Sequence, residues 1–187
     1  MTQQHNSSKE LDLYFQQTQL ESIKVEVKKI AERKRQISAQ TYIPQPVESV
    51  WKILTDYEAL SDFIPNLTSS RLLDHPEGGI RVEQVGSQKL LRFNFSARVV
   101  LDLQEHFPKE ISFNLVEGDL KEYSGSWLLE PYTDLQSVPQ KSGTQLSYIV
   151  QVLPKRTMPV RIIEKRLSQD LRSNLLAVKE RIIGLMD

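Results

Sequence analysis

Residues 91–103 read LRFNFSARVVLDL, and their side chains alternate: Leu91, Phe93, Phe95, Ala97, Val99, Leu101 and Leu103 fall on one side, Arg92, Asn94, Ser96, Arg98 and Asp102 on the other. A period of two puts an apolar row on one face of a β-strand and a polar row on the opposite face. Read from 89 to 106, this strand is far longer than the usual five or six residues, so it must curve, which suits a sheet wrapped around something. Around it, segments 67–73, 80–86, 110–117, 120–131 and 144–153 are short period-two or apolar runs. Turn residues such as Glu77-Gly78-Gly79 and Ser142-Gly143 separate them.

Helical spacing occurs in two places. After Pro44 and Pro46, the residues Val47, Val50, Trp51 and Leu54 follow the spacing of one buried helical face. Asp56 can cap a second short helix carrying Tyr57, Leu60 and Phe63, which Pro65 stops. From Pro159 onward, Ile163, Leu167, Leu171, Leu175, Val178 and Ile182 form an apolar stripe, predicting a long helix over 159–186. Ahead of these elements, Ile23, Val25 and Val27 alternate with Lys24, Glu26 and Lys28, predicting a strand at 23–30. A second alternation covers Ile37, Ala39, Thr41 and Ile43, and the polar run Glu32 to Arg35 separates the two as a hairpin turn or a sharp bend. Residues 1–21, rich in Gln and Ser, hold too few apolar groups to offset the entropy of ordering and are read as a flexible tail, leaving 22–187 as a single domain.

The chain has 187 residues, 39% hydrophobic and 26% charged, enough for one real core. It has no cysteine, which excludes disulfides, a thiol nucleophile and zinc–thiolate sites. No apolar run approaches the length of a membrane span, so a soluble, cytoplasmic protein is expected. The zero net charge divides unevenly, with an excess of four positive charges on residues 22–43, another four on 154–187, and a deficit of six between them. Basic ends of this kind leave contact with a membrane surface or a ribosome open as partners, while nothing points to DNA.

The residues of chemistry are sparse. His5, His75 and His106 show no metal-ligand spacing, no serine stands in a G-x-S-x-G context, and no glycine loop is built to cradle phosphate. Carboxylate pairs such as Asp102 with Glu105, or Asp119 with Glu122, read as surface charges and turn caps. No catalytic residue, metal or cofactor is expected on this basis.

The stretches IPQPVESVWKILTDYEALSDFIPNL at 43–67, VEQVG at 82–86, FSARVVLDLQE at 95–105, VEGDLKEYSGSWLLEP at 116–131 and LPKRTMPVRIIEKRLSQDLRSNLLAVKERI at 153–182 resemble the START-like (SRPBCC) superfamily. The nearest branch is that of polyketide cyclase/dehydrase or coenzyme Q-binding START-like domains, and the resemblance covers about residues 35–183. It implies an α+β helix-grip fold, in which a curved antiparallel sheet of about six to eight strands wraps a long C-terminal helix over an elongated apolar cavity. It also implies a hydrophobic small molecule or lipid as partner, prenylquinone-like in the nearest members, with a cyclase or a ribosome-associated protein as the alternatives.

On the strand parity above, the cavity lining is expected to comprise Phe93, Phe95, Val99, Leu101, Phe113, Leu115, Tyr123, Trp127, Leu129, Tyr148 and Val150 from the sheet. The terminal helix would add Ile163, Leu167, Leu171 and Leu175, and Phe63, Ile64 and Pro65 would stand at the mouth. Such a lining dissolves an apolar ligand and fixes it with one or two hydrogen bonds, the pattern of a carrier rather than a catalyst.

Overall fold

The structure, a computed structural model, describes residues 20, 23–90, 93–136 and 140–184, without the side chains of 88–90, 93–95 and 141. Strands β1 (Val25–Lys29) and β2 (Arg35–Ile43) lead into helices α1 (Val47–Thr55) and α2 (Leu60–Phe63). Strands β3 (Leu67–Leu73), β4 (Ile80–Leu90), β5 (Phe93–His106), β6 (Glu110–Gly118), β7 (Glu122–Asp134) and β8 (Lys141–Leu153) follow, and helix α3 (Val160–Gly184) ends the described chain. All eight strands form one antiparallel sheet in the order β1-β2-β8-β7-β6-β5-β4-β3. This is the α+β architecture that the alternation at 91–103 and the helical stripe after Pro159 call for.

The polar run before β2 is a hairpin: Ile30 donates its N–H to the Lys34 carbonyl at 3.0 Å and β1 pairs antiparallel with β2. Pro46 stands immediately before α1, where a missing N–H costs nothing, and Val47, Val50, Trp51 and Leu54 are buried as their spacing demands. The second helix is shorter than expected. Asp56 ends α1 instead of capping α2, which begins at Leu60 after Ala59.

The strand boundaries also differ at one point. β4 does not stop at Gly86 but pairs with β5 as far as Leu90 opposite Phe93. Gly86, the expected end of this strand, stays in the ladder opposite Ala97. Leu91 and Arg92, and the side chains of Phe93 and Phe95, lie outside the described residues, as does the expected tail apart from Leu20, which packs against the core.

The core lies between the concave sheet face and α3. Ile37, Ile43, Leu129, Leu146, Val150, Leu171, Leu175 and Val178 are each no more than 1% exposed. α3 lies mainly over β2, with further contact to β1, β8 and α1, so this side of the sheet is filled solidly. One close approach depends on a missing side chain. A Cβ on Gly125 would fall on the Ile149 carbonyl oxygen of β8 and crowd the Phe113 ring of β6.

The convex face is polar and cross-linked. Arg98 on β5 is not a free surface cation: it donates to Glu83 of β4 at 2.5 Å and to Glu117 of β6 at 2.6 Å, while Arg71 of β3 holds the other side of Glu83. Glu83 is only 6% exposed, covered by the two arginines themselves, and their hydrogen bonds hold its carboxyl below the usual carboxylate range. A second cluster joins Arg81 to Asp102 through two bonds, with His75 at 3.3 Å. Asp102 therefore faces solvent and ion partners, away from the concave side.

Candidate functional site

Because α3 covers β2, the concave face over β3 to β6 is left hollow. A cavity of about 210 Å³ lies there. It runs from Tyr57, Leu103 and Ile111 at one end of the strands, past Val82, Ala97, Val99, Leu101 and Phe113, to Asn66, Leu120 and Met158 at the other. The row of odd positions on β5 forms its floor, and Ile163, Leu167 and Leu171 of α3 close it from above.

The residues singled out from sequence divide into three groups. Val99, Leu101, Phe113, Tyr123, Trp127, Tyr148, Ile163, Leu167, Leu171, Ile64 and Pro65 border this cavity. Leu129, Val150 and Leu175 do not: they sit in the solid part of the core, at 1%, 0% and 0% exposure, beneath α1 and α3. Leu115 does not border it either: it lies opposite Leu101, next to a register shift between Val100 and Leu101 on β5, and packs at the core's margin. Phe63 belongs to a separate hollow with Leu20, Leu176 and Ala177, where the Arg181 guanidinium lies 5.6 Å from its ring centroid. Phe93 and Phe95 fall among the undescribed side chains.

The polar groups of the cavity are concentrated, and most come from a place the strand pattern does not reveal. Trp127 and Tyr148, register partners on β7 and β8, stack with centroids 3.7 Å apart, and Tyr148 Oη stands 3.4 Å from Tyr123 Oη. Burial pushes both phenols above their ordinary range, and the nearby Asp170 carboxylate adds to this. Asp170 itself projects from α3 into the cavity wall. It accepts a hydrogen bond from Asn66 Nδ2 at 3.4 Å and lies 3.6 Å from Arg166. Burial raises its pKa above the ordinary aspartate value, and Arg166 and Asn66 only partly offset that rise.

One turn further along α3, Asn174 Oδ1 is buried at the cavity with no hydrogen-bond donor. Asn66 reaches Asp170 from a left-handed backbone conformation, φ 64°, which asparagine tolerates better than most residues. At the far end Tyr57 donates to Glu105 Oε1 at 2.6 Å, and burial followed by that bond raises the Tyr57 pKa strongly.

Arg166, Asp170 and Asn174 are spaced four residues apart, each one position before Leu167, Leu171 and Leu175. They form a polar line beside the apolar stripe, and that i, i+4, i+8 repeat is the sequence signal for them. Among the described residues no group of three His, Asp or Glu side chains converges to hold a metal ion. The arrangement offers a largely apolar chamber, one carboxyl with raised proton affinity, a pair of phenols that can donate one further hydrogen bond, and one unpaired amide oxygen.

Comparisons with known proteins agree with this architecture. The profile of the family described as "Polyketide cyclase / dehydrase and lipid transport" matches residues 43–179. The ribosome association toxin RatA of Escherichia coli is 27% identical over 96 residues, which is 51% of this chain and 58% of that protein. The chain thus spans little more than half the length of the curated relatives it matches. Among solved structures, the Zhui aromatase/cyclase of a Streptomyces species superposes with a TM-score of 0.64 at 15% identity, covering 82% of this chain and 96% of that one. A STAR-related lipid transfer protein of Xanthomonas axonopodis superposes with a TM-score of 0.60 at 15% identity, covering 85% and 98%. At such identities the structural likenesses speak for the fold alone, which is START-like. With the profile spanning most of the chain and the helix-grip architecture beneath it, the protein belongs to the polyketide cyclase/dehydrase and lipid transport family.

Proposed function

We propose that this protein binds and carries a neutral hydrophobic small molecule, whose one polar end lies against Asp170, Asn174 and the Tyr123–Tyr148 pair. The observation that supports it is the distribution of polarity: in a largely apolar chamber Asp170, Asn174 and the Tyr123–Tyr148 pair offer hydrogen-bonding capacity, while Tyr57 and Gln84 elsewhere in the lining are engaged with Glu105 and Ser70. Cavity size bounds the ligand. A 150 Å³ apolar cavity is known to take up benzene, so about 210 Å³ suits one substituted ring. A prenylquinone-like lipid fits this reading with its ring inside and its tail running out past Met158 or Pro65. Residues 22–187 act as one binding domain in this proposal.

Asp170 favours a second reading. Ring closure of a poly-β-ketone chain moves a proton from a carbon between two carbonyls to the oxygen of the carbonyl being attacked. Asp170, with its raised proton affinity, is the cavity carboxyl suited to take or give it. Incubation with ring-bearing lipids and with polyketide chains, followed by mass spectrometry of what returns, separates the two readings. Stoichiometric binding with unchanged ligand supports the carrier. Turnover that disappears in Asp170→Asn would establish the cyclase instead.

A further inference from the structure

We infer that one end of the molecule docks on an anionic membrane surface, at the end where Asn66, Leu120 and Met158 border the cavity. Antiparallel pairing sends alternate connections to opposite ends of the sheet. The β1–β2 turn, the β6–β7 turn and the β8–α3 connection share one end, while the β3–β4, β5–β6 and β7–β8 connections share the other. Contacts knit the first group together. Arg33 donates to the carbonyls of Lys155 and Met158 at 3.1 and 2.9 Å, and Lys155 Nζ donates to the Gly118 carbonyl at 3.0 Å. Lys34 pairs with Glu122 and Arg35 with Glu164, each at 2.8 Å.

Segments 28–35, 117–122 and 153–165, which build this end, hold ten Lys and Arg against five Asp and Glu. Three of those acids are already held, Glu117 by Arg98, Glu122 by Lys34 and Glu164 by Arg35. Lys29, Arg156, Arg161 and Lys165 are exposed and form no ion pair among the described residues. Ile30 and Ile162 are 50% and 52% exposed beside them. Apolar exposure alone does not choose the end, since Phe107 and Leu135 at the other end are barer still. Charge does. There Asp74, Glu77, Glu105, Glu110, Glu130 and Asp134 outnumber Arg81, Lys109 and Lys141 around the three connections.

The charge therefore divides along the strand axis. An anionic bilayer attracts the basic end, repels the acidic one, and receives Ile30 and Ile162 at its interface. In the one respect that rests on the proposed function, this geometry lets a hydrophobic ligand pass between bilayer and cavity beside Leu120 and Met158 without crossing open water.

Vesicle flotation of the full chain, with no ligand added, tests the docking independently of the cavity. The protein should float with phosphatidylglycerol-containing vesicles at low salt, stay behind with pure phosphatidylcholine, and be released by high salt. Arg156→Glu with Arg161→Glu should weaken flotation by more than about tenfold, and Lys109→Glu at the acidic end should leave it unchanged. Lys165→Glu, at an exposed helical position, provides a second reversal should the double variant fail to fold by circular dichroism. Flotation that is absent at low salt, equal on neutral vesicles, or indifferent to both reversals overturns the inference, as does binding to ribosomes without binding to anionic vesicles. Loss of ligand binding with flotation intact would instead remove the cavity reading and leave the docking surface standing.

Discussion

Trp127 and Tyr148 stack face to face across the β7–β8 ladder, with ring planes only 6° from parallel and centroids 3.7 Å apart, and both rings border the cavity. The second tryptophan, Trp51, lies on α1, edge-on to Phe107, and does not border it. A Trp51→Phe variant should therefore report cavity occupation through Trp127 alone. Titration with 1-naphthol should shift or quench its emission saturably, and emission unmoved by a ligand that calorimetry shows to bind would place the ligand elsewhere.

Asp170 should give stability an unusual pH dependence. Its carboxyl has a higher proton affinity folded than unfolded, so the stabilisation associated with its protonated form is fully present below the ordinary aspartate value and is lost as pH rises through the raised value. Glu83, Asp102 and Glu122 have lowered values and act in the opposite sense, but they are common to native and variant and cancel in the difference. Thermal melts should thus show Asp170→Asn gaining on the native protein between acidic and neutral pH. A difference that is flat, or that shrinks with rising pH, would falsify the assignment of a destabilised buried carboxylate.

The hollow and solid halves of the concave face predict opposite phenotypes. Val99→Phe places extra volume in the cavity and should abolish ligand binding with little change in melting temperature, since it fills space rather than displacing neighbours. Leu129→Ala, in the solid half, should cost ~2–5 kcal/mol while leaving binding per folded molecule intact. Denaturant unfolding and ligand titration on the same two variants check this, and a reversed pattern would mean the boundary between the halves is misplaced.

Gly125→Ala should be among the most damaging single-methyl changes in the sheet. The added carbon meets the Ile149 carbonyl, a backbone atom that cannot step aside, and presses on Phe113, a cavity wall residue. A loss of several kcal/mol is expected, together with weakened binding as the Phe113 ring is pushed inward. A variant that melts like the native protein would show that β7 and β8 can separate locally at no cost.

Much of this molecule is legible in its sequence because both of its periodicities are clean. Ala97, Val99, Leu101 and Leu103 are apolar at every second position, so the cavity floor follows from a period of two although Val100 breaks the polar row, and Ile163 to Ile182 recur at helical spacing, so the gripping helix follows from its stripe. What escaped is what periodicity averages away. Asp170 and Asn174 stand at the border of the apolar stripe, where only the lateral offset of α3 toward β2 decides that they meet the hollow and not water. Leu129 and Val150 share the parity of the lining yet are buried in solid core, because parity selects a face of the sheet and not the half of that face a helix covers. The strand expected to end at Gly86 runs on, with the ladder passing through it to Leu90.

The pairing of β2 with β8 has a consequence for how the chain comes to be folded at all. Gln36 and Gln151 lie side by side although 115 residues separate them in sequence, and this pair carries α3 on its inner face. On a ribosome, the first long strand must wait for nearly the whole chain to emerge before its permanent neighbour exists. Such distant pairing closes a large loop before it gains any contact, which places the protein among slow folders. Until then Ile37 and Ala39 of β2 have only the charged hairpin strand β1 to shield one flank. The Lys and Glu side chains of β1 serve the nascent chain as a guard against pairing with the wrong strand.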